Sequence, residues 1–140
     1  MRSPRKFSRA FTYKPKIPDI KAGICRHTIR PLGKSGMMMK GDQVTWHGWS
    51  GRAYASPWNW RIKTILSGSE LMCVTPRGIF FPERHKIIFW EELDWLAKLD
   101  GIEPPTGKEL GILLTKRINK IKNPVSPFQR VWWDEIQCQN

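Results

Sequence analysis

Gly41-Asp42-Gln43-Val44-Thr45-Trp46-His47-Gly48-Trp49 and, after a short turn, Trp58-Asn59-Trp60-Arg61-Ile62-Lys63-Thr64-Ile65-Leu66 decide the class of this fold. Both runs carry the β-branched and aromatic content of strands. Gly41-Asp42 opens the first strand, Gln43 to Trp49, and Gly48 and Gly51 mark the turn between the two. Successive strand side chains point to opposite faces. Trp46 therefore sides with Val44 and reads as core. Trp58 and Trp60 are expected on one face, with Asn59 and Arg61 on the other.

Downstream, Leu71–Thr75 and Gly78–Phe81 read as a hairpin turning at Pro76-Arg77-Gly78, and the segment up to Phe89 is ambiguous. Glu91 to Leu99 places acids in the first turn of a helix, where the dipole favours them. Thr106-x-x-Glu109 matches a capping box for a second helix reaching about Ile121, with Pro124 and Pro127 barring its continuation. Phe128 to Ile136 is a final strand, in which Trp132 and Trp133 face opposite ways. Upstream, residues 7–13 suit a strand. Ile17 to Ala22 forms one helical turn stopped by Gly23, Arg26 to Arg30 forms a short strand ended by Pro31, and Gly33 to Gly36 is a loop. Residues 1–6 are a loose basic arm, and residues 7–140 form one domain. Strands outnumber helices and short turns join them. The expected fold is α+β: a small, mostly antiparallel β-barrel with two or three helices at one end.

The chain has 140 residues, enough for one domain with a real core, and eight Trp argue against wholesale disorder. No apolar run is long enough for a membrane helix, and no apolar signal region follows the basic N-terminus. The expectation is a soluble, cytoplasmic protein without a membrane association. The formal net charge is +12, but it is unevenly spread. Residues 1–40 hold eleven of the 24 Lys and Arg and only one of the twelve acids, Asp19. Such an excess is the footprint of a polyanion, usually nucleic acid. Cys25, Cys73 and Cys138 are odd in number and far apart. They indicate neither a disulfide framework nor a zinc site, and no metal or cofactor is expected.

The densest chemical constellation is Gly23-Ile24-Cys25-Arg26-His27-Thr28-Ile29-Arg30-Pro31. Strand alternation projects Arg26, Thr28 and Arg30 together, with His27 and Ile29 opposite. Two guanidinium groups flanking a hydroxyl suit a phosphate or a polar base edge. A second cluster is built from Trp49, Arg52, Tyr54 and Arg61, where aromatics interleave with Arg as base-stacking, phosphate-gripping surfaces do. Asp100 stands at the end of a helix, where the dipole disfavours a carboxylate. That placement suggests a partner such as Arg26 or Arg30 across a pocket.

Residues 17–45 resemble the ASCH family of the PUA-like β-barrel superfamily, and its small stand-alone members in particular. The matching elements are Ile20-Lys21-Ala22-Gly23, then Thr28-Ile29-Arg30, then Lys40-Gly41-Asp42-Gln43-Val44. Trp95 to Ile102 resembles the family's helix ending in an acid, and Phe128 to Trp133 its closing strand. The resemblance implies either RNA binding or cleavage, or removal of an acyl group from a modified cytidine by a Lys, a Thr nucleophile and an acid. Thr28 matches the Thr, Arg30 the Arg and Asp100 the acid. The Lys position is occupied by Cys25, a departure that weakens the amidase mechanism. Lys21 and Cys25 are the candidates to assist instead, Cys25 with a thiol made acidic by Arg26 and Arg30.

Binding therefore leads over catalysis at this level. The first expectation is a protein that recognises RNA or a nucleotide around Arg26, Thr28 and Arg30. The second is a small amidohydrolase acting on an acylated cytidine, or a ribonuclease, with Thr28 and Asp100 in the site. The third is a non-enzymatic factor of viral or mobile-element origin with a protein partner. The oligomeric state is left open.

Overall fold

The computed structural model describes residues 3–11, 13–33, 36–120 and 127–139. Met1 and Arg2 of the expected arm, Thr12, the loop residues Lys34 and Ser35, and the helix end at Ile121 with Pro124 lie outside them.

Seven strands and three α-helices are described: β1 (Lys6–Ala10), α1 (Ile17–Lys21), β2 (His27–Pro31), β3 (Gln43–Trp49), β4 (Trp58–Val74), β5 (Gly78–Phe81), β6 (Lys86–Phe89), α2 (Asp94–Leu99), α3 (Gly107–Lys120) and β7 (Phe128–Gln139). The domain is α+β with a mostly antiparallel sheet. β1 lies parallel to β3, and the remaining pairings, β3–β4, β4–β5, β5–β6, β4–β7 and β2–β7, are antiparallel. The pairings among the described residues do not close the sheet into a barrel.

β4 organises the molecule. Its 17 residues run through what the sequence suggests are two strands, because beyond a bulge at Ser67 the chain pairs again with β7, Gly68 with Trp132 and Ser69 with Val131. Trp60, Ile62, Thr64, Leu66, Gly68, Glu70 and Met72 are buried in strict alternation. Register shifts at Lys63/Thr64, Ile65/Leu66 and Leu66/Gly68 bend it. Gly68 leaves room for the Trp132 ring, which a Cβ would meet at 2.3 Å.

Two cores result. One gathers Phe7, Phe11, Ile20, Val44, Trp46, Trp60, Leu66 and Trp133. The other lies under the helices and holds Met72, Ile79, Phe81, Leu93, Leu96, Leu110, Leu114 and Phe128. Trp46 and Trp133 are core, while Trp132 is half-buried on the other face of β7. Trp58 departs from its expected side. A register shift at Gly48/Trp49 breaks the alternation, so Trp60 packs on Phe11 while Trp58 stacks on His47 at 3.9 Å.

The helical expectations hold with shorter bounds. α1 ends before Gly23, which adopts φ +75°. The Glu91–Leu99 helix splits into a 3-10 turn, Trp90–Glu92, and α2. Thr106 caps α3 by accepting the Glu109 N–H at 3.1 Å. The basic arm is shorter than expected: Lys6 starts β1, and the Arg5 N–H donates to Asp42 Oδ1 at 2.9 Å.

Candidate functional site

A cleft of about 470 Å³ opens between β2, the side chains of Phe11, Tyr13 and Lys16, the end of α2 and one face of α3. Its polar floor is Lys16, Thr28 and Asp100, all buried. Lys16 Nζ lies 3.3 Å from Thr28 Oγ1 and 3.2 Å from Asp100 Oδ1. It also donates to the Asp100 carbonyl at 3.3 Å and the His27 carbonyl at 3.5 Å. The ammonium is thus the joint between α1, β2 and α2. The backbone makes this possible at Gly101, whose φ of +71° turns the chain sharply away after Asp100.

Behind β2 the network continues. His27 Nδ1 is 3.1 Å from Asp100 Oδ1, and His27 Nε2 is 3.4 Å from Arg130 Nη1. A guanidinium can only donate, so Nε2 accepts and Nδ1–H donates to the carboxylate. Burial pushes the His27 imidazole down from its ordinary pKa, against the pull of Asp100, which keeps the ring neutral. Arg130 also donates to Glu70 Oε1 at 2.9 Å, and Arg84 donates to both Glu70 oxygens at 2.8 and 2.9 Å. Burial raises the Glu70 pKa, but the bonds from Arg84 and Arg130 outweigh it and hold the carboxyl below its usual value. One polar chain therefore runs from Arg84 through Glu70, Arg130, His27 and Asp100 to Lys16 and Thr28.

The expected site residues divide. Thr28 and Arg30 share the cleft, as strand alternation requires, and Asp100 joins them. Arg26 does not. It precedes β2 and is exposed on the opposite side, donating to the carbonyls of Gly23 and Asp134. Asp100 pairs with Lys16 and His27, not with Arg26 or Arg30. Lys21 is exposed on the last turn of α1 and does not line the cleft. Cys25 is buried, with its thiol directed at the carbonyls of His27 and Leu99. Burial raises its pKa, against the weaker opposing effect of Lys16, so it is not an acidified nucleophile.

Trp49, Tyr54 and Trp58 form a separate aromatic cluster with His47, the Trp49 and Tyr54 rings being 5.2 Å apart. Tyr54 is 92% exposed and held at φ +62°. Arg52 and Arg61 are exposed near it in sequence, on the turn and on β4.

Sequence reasoning missed Lys16, the Glu70–Arg130 pair and Arg117. Lys16 had a legible signal. It occupies the N-cap of α1 without a side-chain cap bond, and a cation at a helix N-terminus opposes the dipole. Glu70 had one too, as a carboxylate on the buried face of a strand otherwise apolar or small. No group of three or more potential metal ligands occurs among the described residues. No helix of the described residues is long and apolar enough to cross a membrane.

No family model matches the chain, and no curated protein or solved structure is significantly similar to it.

Proposed function

We propose that the protein is a small amidohydrolase of the ASCH type, built on an unclosed relative of the PUA-like barrel and acting on an acylated nucleobase such as that of an N-acylcytidine. The observation that carries this reading is the buried Lys16 Nζ standing between Thr28 Oγ1 and Asp100 Oδ1 at the floor of an open cleft. The Lys that the resemblance asks for at position 25 is supplied from Lys16, upstream of α1.

Thr is a weak nucleophile until a neighbour takes its proton. Here Thr28 Oγ1 attacks the acyl carbon as its proton passes to Nζ and an Nζ proton passes to Asp100 Oδ1. The tetrahedral oxyanion that forms faces the cationic side of the cleft, which contains Arg30. Collapse breaks the C–N bond, and the leaving amine takes its proton from Nζ, which recovers one from Asp100. The Thr28 ester is then cleaved by water over the same relay. The sum is amide plus water giving carboxylic acid plus amine. His27 orients Asp100 by its Nδ1–H bond. A cleft of this size suits one nucleoside.

The test is release of cytidine and free acid from N4-acetylcytidine, followed by chromatography. Thr28→Ala and Lys16→Met are each expected to lower kcat by about 10³-fold or more, and Thr28→Ser to retain part of it. Undiminished turnover by Thr28→Ala sinks the reading.

RNA binding is a second reading, supported by a different observation. Trp49, Tyr54 and Trp58 lie together at the surface, with Arg52 and Arg61 exposed on the adjoining turn and strand. Exposed aromatics with Arg stack bases and hold phosphates.

A further inference from the structure

The hydrolase reading uses Lys16, Thr28 and Asp100, turns the oxyanion toward the side of Arg30, and leaves Lys116 and Arg117 without a purpose. Arg30, Lys116 and Arg117 all line it. None of the three forms an ion pair among the described residues. Asp100 is the one carboxylate lining the cleft among those residues, and Lys16 and His27 already occupy it. Arg30 spends one nitrogen on the Ala10 carbonyl at 2.8 Å, which ties it to the end of β1. That bond accounts for part of Arg30 and for nothing of Arg117. Burial, with the positive charges of Arg117 and Arg9, pushes Arg30 down to about 10, so it is still cationic at neutral pH. Like charges gathered in a partly desolvated cleft are unfavourable until an anion enters. Guanidinium groups are planar forks that match phosphate oxygens in pairs. Tyr13, half-buried on the neighbouring wall, offers a ring for a flat base.

We propose that this cleft is a phosphate site, taking a phosphorylated nucleotide or a nucleotide within a strand, with Arg30 and Arg117 on the phosphate and the base lying against Tyr13. It rests on the hydrolase reading only in which atom of the ligand meets Thr28. The anion site itself requires no reaction.

Calorimetric titration of the full chain with cytidine, cytidine 5′-monophosphate and a short single-stranded oligocytidine, at fixed ionic strength, tests it. A phosphate-bearing probe is expected to bind at least about tenfold tighter than cytidine, with inorganic phosphate competing. Tight binding of the monophosphate assigns the site to a free nucleotide, and tight binding of the oligonucleotide alone assigns it to a strand. In Arg117→Gln, a change at an exposed position on the α3 face that lines the cleft, the preference is expected to shrink severalfold, and Arg117→Lys is expected to restore part of it. Arg30→Gln is expected to do the same. Equal affinity for cytidine and both phosphate probes, no binding of any phosphate probe, or a preference unchanged in both Gln variants overturns the proposal. Thr28→Ala keeps the two readings apart. It abolishes the proposed hydrolysis and is expected to keep the phosphate preference, so a wild-type chain that binds phosphate yet leaves N4-acetylcytidine intact defeats the hydrolase reading alone.

Discussion

Lys16 and Asp100 each stand at the wrong end of a helix. Lys16 is the N-cap of α1 and Asp100 the C-cap of α2, so both helix dipoles oppose them. They are tolerated because each is the other's partner, 3.2 Å apart and out of solvent. Breaking such a pair leaves an uncompensated buried charge. Asp100→Asn is therefore expected to cost about 3–5 kcal/mol in urea unfolding, and adding Lys16→Met should recover part of that loss. His27 gives the site a pH signature. Its folded pKa is lowered from 6.5, so below that value the unfolded chain binds the extra proton first. The stability it contributes is intact above pH 6.5 and is lost as pH falls through the lowered folded value. His47, also lowered, chiefly by burial, adds to the same slope. Unfolding free energy measured from pH 7 to 5 should fall, and fall less steeply in His27→Asn.

At the scale of elements, the site depends on where α2 stops and what α3 carries. Gly101 at φ +71° lets the chain leave α2 with Asp100 pointing back to Lys16. A Cβ there would sit 3.2 Å from Cys25 Sγ and 3.3 Å from Lys16 Cβ. Gly101→Ala should cost about 1–2 kcal/mol from the left-handed backbone alone, seen as a lower Tm, and should displace Lys16 enough to lower turnover as well. β4 and β7 supply the rear of the site. Glu70 from β4 clamps Arg130 of β7 and Arg84 after β5, and Arg130 in turn meets His27. The short β2 is thereby held on both sides: by its pairing with β7 and by a charged chain crossing beneath it.

Across the whole molecule, cationic surface exceeds anionic, and the cleft and the Trp49–Tyr54–Trp58 cluster both lie among cations. If single-stranded RNA occupies the aromatic cluster, log affinity should fall linearly with log salt, and Arg52→Gln and Arg61→Gln should each reduce the slope by about one. Tyr54→Ala should weaken binding with the slope unchanged, because stacking releases no counterions. Filter binding at several salt concentrations measures both. Much of the fold could be read from residue order alone. The strand Gln43–Trp49, the α1 turn stopped by Gly23, the Thr106 cap and the opposed Trp132 and Trp133 are local consequences of propensity, capping and the two-residue strand period. The same period determined that Thr28 and Arg30 share a side. It could not place Arg26, which lies just before β2, or Trp58, which lies beyond a register shift. Nor could it join Lys16 to Asp100, 84 residues away, or Arg130 to Glu70 and His27. Those pairings follow from how β2 and β4 pair with β7 in one sheet and where α2 docks, and a buried charge declares its partner only once the chain has brought the two together.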